Sequence, residues 1–186
     1  MSETKRIRIL FIGNSHTYFN DMPLLVRRLA ENDGVPCDVV MIAHGGWFLE
    51  QHAHEPEVRF NILHGQYDFV VLQEHAHPFG PDEKFTGAVG RLAELIRKGG
   101  SVPVIYGCWA RKDEPEKQEH MNEVHRRAAG EINALLAPVG EKWRTYAERH
   151  PDTEMYAADG AHASPAGSAF AASVIWETLK KSVSGE

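Results

Sequence analysis

Short apolar, β-branched runs alternate with longer segments of helical period along this chain, and that alternation is the strongest constraint on what it can fold into. Residues 7–12, 38–43, 68–73 and 102–107 are each near-continuous apolar runs. Runs of this kind suit parallel strands buried on both faces, because a strand with one wet face shows alternating polarity instead. Between them, Leu25, Leu29 and Ala30 share a helical face, as do Ala88, Leu92, Leu95 and Ile96. Residues 116–133 read as a polar-faced helix and 135–139 as a short fifth strand. Ala171, Val174, Ile175 and Leu179 then repeat at helical spacing, with Ser164 as an N-cap and Pro165 in the first turn. The pattern predicts an α/β fold of three layers, a five-stranded parallel sheet with helices on both faces. No linker, repeat or low-complexity segment interrupts it, so residues 1–186 read as a single domain.

Charge narrows the partners. Twenty basic and 26 acidic side chains give a net charge of −6, without blocks of one sign. Nucleic-acid and anionic-membrane binders carry a basic surface to meet phosphates, so neither partner is expected. No apolar run approaches the ~18–20 residues of a membrane span. Residues 1–8 lead straight into an apolar run of four, too short for a signal-peptide core, so a cytoplasmic setting is expected. The two cysteines, Cys37 and Cys108, fall at opposite ends of predicted strands, beyond the ~7 Å reach of a disulfide, and read as reduced structural thiols.

In a parallel sheet of this kind, ligands bind beyond the carboxyl ends of the strands. After the first run stands Gly13-Asn14-Ser15-His16. The glycine allows a sharp turn that leaves the serine at the mouth of the sheet, though turn chemistry alone explains the tetrapeptide equally well. Near the other end lies Asp159-Gly160-Ala161-His162. An aspartate three residues before a histidine can accept the imidazole Nδ1–H and leave Nε2 free to take a proton from a serine. An Asx-turn leading into a helix would give the same letters.

Taken together, residues 9–16 and 159–167 resemble the first and last blocks of the GDSL/SGNH hydrolases, and chain length and element order fit along the whole chain. The resemblance implies a flavodoxin-like three-layer fold and an ester or thioester hydrolase that needs no metal or cofactor. It assigns Ser15 as nucleophile, His162 as general base and acid, and Asp159 as the orienting carboxylate. It makes the N–H groups of Ser15 and Gly46 donors to the oxyanion, Gly46 lying after the second strand in His44-Gly45-Gly46-Trp47. Two positions depart from the family pattern. Asn14 replaces the commoner aspartate, and Gln73-Glu74 stands where Gly-x-Asn is usual. Gln73 could supply the third oxyanion donor, and the Gln-Glu pair resembles a variant of carbohydrate acetylesterase branches. An O-acetylated carbohydrate is therefore the expected substrate class, with thioesters and lysophospholipids as the nearest alternatives.

Trp47, Glu74, His75 and Trp109 form the candidate substrate pocket, since all follow strand ends. Trp109 is the expected wall, while Phe48 and Phe79 suit a pocket or the core equally. Glu74 reads as a solvated rim carboxylate. His16 and His44 suit pocket or loop. His52 and His54 point apart on a helix, and His64, His120, His125 and His150 read as surface residues. Two rival functions remain. Residues 13–17 could cradle the phosphate of a flavin in a non-catalytic module, and His75 with His77 could ligate a metal in a metal hydrolase. Oligomeric state is not written in these residues.

Overall fold

The computed structural model describes residues 6–184. The leading segment, residues 1–5, on which part of the signal-peptide reading rests, lies outside the described residues. The elements run β1 (Ile7–Gly13), α1 (Ser15–Tyr18), α2 (Met22–Asn32), β2 (Cys37–Ala43), α3 (Leu49–His52), α4 (Pro56–His64), β3 (Phe69–Gln73), α5 (Asp82–Lys98), β4 (Val102–Tyr106), α6 (Gln118–Glu131), β5 (Leu135–Ala137), α7 (Val139–Arg149) and α8 (Pro165–Ser184). The five strands are all parallel, in the order β2-β1-β3-β4-β5. This is the doubly wound order whose direction of growth reverses between β1 and β3, and the crevice there is the favoured ligand position.

Strand side chains alternate between faces, and the two cores follow that rule. Ile7, Ile9 and Phe11 of β1 join Phe69, Val71, Val104 and Tyr106 in one core, beneath α2, α7 and α8. Leu10 and Ile12 join Val70, Leu72 and Ile105 in the other, beneath α3, α4, α5 and α6. Each fully buried aliphatic or aromatic side chain of this kind contributes ~1.5–3 kcal/mol, so a sheet apolar on both faces depends on both helical layers to cover it.

Two predicted strands differ in detail. β2 is an edge strand, and its Val39 and Val40 are half-buried while Met41 is exposed, so the run 38–43 is apolar without being covered on both faces. β5 ends at Ala137 because Pro138 has no N–H to give the ladder and Val139 already starts α7. The cap of α8 is as expected: Ser164 Oγ accepts from Gly167 N at 3.0 Å. Both cysteines are free and buried, and burial pushes the Cys37 thiol up to about 11. Among the described residues no helix is long and apolar enough to cross a membrane.

Candidate active site

β1 stops at Gly13 because nothing larger fits. A Cβ there would lie 2.5 Å from both Gln73 Oε1 and Thr17 Oγ1. The chain then turns into the single turn of α1, where Asn14 Oδ1 caps His16 N at 3.1 Å. This lifts the Ser15 hydroxyl out of the sheet at the β1/β3 crevice. The loop after β4 and the Tyr156–Ala163 bridge bring the distant end of the chain to the same place. Ser15 Oγ lies 2.8 Å from His162 Nε2. On the far side of the ring, His162 Nδ1 lies 2.5 Å from Asp159 Oδ2. Asp159 Oδ1 also accepts from the N–H groups of Ala161 and His162, at 2.9 and 3.0 Å. The hydrogen bond from His162, then the backbone donors, hold the Asp159 carboxyl well below the usual carboxylate range. It is therefore ionised at neutral pH and fixes the Nδ1–H tautomer of His162.

The His44–Trp47 turn borders this constellation. Trp47 N donates to His44 O at 3.1 Å, and Gly46 sits at φ +76°, the left-handed position of a type II turn that favours glycine. The turn is stitched to the Ser15 turn by His44 N to Gly13 O, 3.0 Å, and by Asn14 Nδ2 to Trp47 O, 2.9 Å.

Gln73, expected as an oxyanion donor, occupies a different post. Its Oε1 accepts from Asn14 N at 2.9 Å and Thr17 Oγ1 at 2.8 Å, and its Nε2 donates to Glu74 O. Two donors facing one atom force that orientation of the amide. The side chain thus lies buried beneath the Ser15 turn and props it. Glu74, expected at a solvated rim, is also buried. Its carboxylate accepts from His75 N at 2.6 Å and Leu49 N at 3.3 Å, and burial pushes it up to about 7 against those donors. Strand alternation explains the pair, since Gln73 points toward α1 and Glu74 toward α3. Trp109 is a core residue rather than a pocket wall. It stacks on Trp143 at 4.0 Å, and its Nε1 donates to Ala161 O at 2.9 Å. His125 is likewise not on the surface; it is buried against Phe79 and Phe85, and burial pushes it down to about 4. Its spacing of four from Met121, which shares the buried side of α6, was the available signal.

Trp47 and His75 do stand at the rim, His75 stacked on Phe48 at 4.4 Å. A cavity of about 430 Å³ is lined by Ala76, His77, Phe79, Arg111, Lys117 and Met121 among others, and its His77 packs against His16 next to Ser15. Arg111 joins it to the Asp159 turn, with Nη2 3.4 Å from Asp159 O. His75 and His77 do not converge: Nδ1 of His75 is 3.0 Å from Pro78 O, whereas the His77 ring packs edge-on against His16 at 5.1 Å. Among the described residues no group of three or more His, Cys, Asp or Glu is placed to hold a metal ion. The N–H groups of Asn14, His16 and Thr17 all bond within the protein, so these three donors of the 13–17 loop are not available to cradle a phosphate.

No protein-family profile and no curated protein matches the chain. Solved structures do. A Slackia heliotrinireducens protein assigned to the SGNH hydrolases is 33% identical, with 94% of this chain and 100% of that one covered and a TM-score of 0.80. The chain belongs to the SGNH hydrolase family. A carbohydrate esterase family 3 protein from Talaromyces cellulolyticus shares the fold at 14% identity, with 97% and 99% covered and a TM-score of 0.77. So does the acetyl xylan esterase AlAXEase, at 17% identity, 93% and 100% covered, and a TM-score of 0.71.

For this SGNH hydrolase the sequence singles out Ser15, Asp159 and His162, and the structure brings the three side chains together. Sequence reasoning missed the props. His52, buried in the α3 turn, donates from Nε2 to Gly13 O at 2.8 Å, and burial pushes it down to about 4. Thr17 and Asn14 brace the same turn, and Phe19 lies flat on His162 at 4.1 Å. Only Asn14, a good cap residue ahead of the helix, carried a local signal.

Proposed function

We propose that this protein is a serine-dependent hydrolase of carboxylic esters, with Ser15, His162 and Asp159 as its catalytic triad. The observation that carries the reading is the unbroken line of contacts from Ser15 Oγ to His162 Nε2, 2.8 Å, and from His162 Nδ1 to Asp159 Oδ2, 2.5 Å. Ser15 Oγ attacks the ester carbonyl while His162 Nε2 takes its proton. Asp159 holds the ring and offsets the positive charge that forms on it. The N–H groups of Ser15 and Gly46 receive the oxyanion, each worth ~3 kcal/mol in the transition state. Gln73 acts one step back, by fixing the turn that presents Ser15. The alcohol leaves with the proton from His162. Water, deprotonated by the same nitrogen, then releases the acid from Ser15.

Short-chain esters, O-acetyl groups on a carbohydrate above all, are the proposed substrates, supported by Trp47 and Phe48 at the rim, where aromatic faces can stack on a sugar. A second reading, a longer acyl chain in a thioester or lysophospholipid, is favoured by the cavity beside the triad and its apolar Ala76, Phe79 and Met121. A cytoplasmic setting is part of the proposal, supported by two buried, free thiols, which suit a reducing compartment.

A fluorophosphonate probe followed by peptide mass spectrometry tests the mechanism. One adduct is expected, on Ser15, absent in Ser15→Ala and strongly reduced in His162→Ala. A Ser15→Ala protein that hydrolyses an aryl acetate as well as the wild type would end the proposal. Aryl esters of increasing acyl length separate the two substrate readings, the first requiring acetate to be the best substrate.

A further inference from the structure

His162 is walled on both sides by aromatic rings. The Phe19 ring lies 4.1 Å from it, centroid to centroid, at an interplanar angle of 12°, and the His16 ring lies 4.7 Å away at 25°. Two rings so nearly parallel to a third, and so close, would overlap each other on one face, so they cover opposite faces. Both walls are anchored. Phe19 O accepts from Ser168 Oγ at 3.3 Å, and the next residue, Asn20, in a left-handed conformation at φ 54°, donates from Nδ2 to Ala163 O at 3.0 Å and Ser168 Oγ at 2.9 Å. His16 is backed by the edge of Trp109, whose indole N–H also holds Ala161, the residue before His162.

We infer that Phe19 and His16 form a two-walled aromatic slot that keeps the His162 ring on the line from Asp159 to Ser15 and stabilises that ring when it carries the proton. The inference rests on the serine-hydrolase reading for its catalytic meaning, but not for its geometry. An aromatic face attracts a cation lying over it, and the imidazolium exists only after Ser15 gives up its proton, so this attraction strengthens towards the transition state. The charged and titratable groups facing His162 are Asp159 at Nδ1, Ser15 at Nε2, His16 from α1, His77 from the loop after β3 and Arg111 from the loop after β4. Burial, then the neighbouring His77 and His162, hold His16 well below its ordinary range, so it presents a neutral face and adds no second cation. Both residues are positioning residues; neither touches the reacting atoms.

Phe19→Leu keeps bulk and removes the π face. We expect it to lower kcat/KM about tenfold and to move the acid limb of the kcat/KM profile to lower pH. Phe19→Trp should restore both. His16→Ala should lose activity similarly, and His16→Phe should return to within about twofold of the wild type. A Phe19→Leu enzyme with unchanged rate and acid limb would overturn the inference. So would a His16→Phe enzyme as poor as His16→Ala, which would make His16 a proton carrier. A second arm does not depend on activity. In the Ser15→Ala background, the low-field proton resonance of the His162 Nδ1–H should persist, and adding Phe19→Leu should broaden it by faster exchange with water. Equal linewidths with and without Phe19 would refute the slot even where the serine mechanism stands. Active Ser15→Ala would refute the mechanism and leave this arm readable.

Discussion

The carboxyl of Glu74 ends β3 on the α3 side, and its burial there has a consequence for stability. Its ordinary value is 4.5 and burial raises it to about 7. Between those two values the folded chain keeps a proton that the unfolded chain has released. Stability therefore falls as pH rises through that window and levels off above it. At 1.36 kcal/mol per pH unit the full effect is on the order of 3 kcal/mol. Glu74→Gln lacks this component. We expect its stability relative to the wild type to be greater at pH 8 than at pH 5, as read from denaturant midpoints at the two values; an equal difference at both would mean that the carboxyl titrates normally. The neighbouring letters Gln73 and Glu74 show what one residue's sequence context can carry. Their place at a strand end and their opposite facing are legible, because side chains alternate along a strand. Their depth is not, because it is set by α1 and α3, which cover them from elsewhere in the chain. The same holds for Trp109, whose partner Trp143 arrives from α7, three elements after β4.

Elements were read more securely than side chains, for a physical reason. A parallel strand buried on both faces must be apolar at nearly every position, and β1, β3 and β4 are therefore continuous in the letters. β2 carries the same kind of run at an edge, and nothing local distinguishes an edge strand from a central one. The junction between β4 and the Asp159–His162 turn was also invisible, since it depends on the hydrogen bond from Trp109 Nε1 to Ala161 O. Trp109→Phe removes that donor and leaves the carbonyl unpaired in a buried place. We expect a loss of ~1–3 kcal/mol in stability, together with a fall in kcat that exceeds any change in KM, because the turn that carries His162 loosens. Urea titration and steady-state kinetics measure the two effects, and a change confined to KM would assign Trp109 to substrate binding instead.

Over the whole molecule, histidines dominate the response to acid. His52, His77 and His125 are pushed down to about 4 by burial, and His16 is held low by the same cause. Each stays neutral in the folded chain while the unfolded chain takes up a proton below its ordinary 6.5, so stability is lost as pH falls from 6.5 towards 4. Glu74 works in the opposite direction over part of this range, but it is one group against four. Thermal unfolding midpoints should therefore drop between pH 7 and pH 5. His125→Leu, which replaces a fully buried ring among Phe79 and Phe85 with an aliphatic side chain, should flatten that drop; an unchanged slope would show that His125 takes no part in it. Of the 11 histidines, several thus belong to the core as much as to the site.

The contact between Ser15 and His162 spans 147 positions of the chain. During synthesis the amino-terminal part of a chain is made first, while a domain generally folds as a unit. β1 and the serine turn are made early, and His162, the proposed base, is added only after all five strands have been made. On the ribosome the hydroxyl is an ordinary one. On the proposed mechanism, a chain made only as far as β5 therefore carries no activated nucleophile to react with its surroundings.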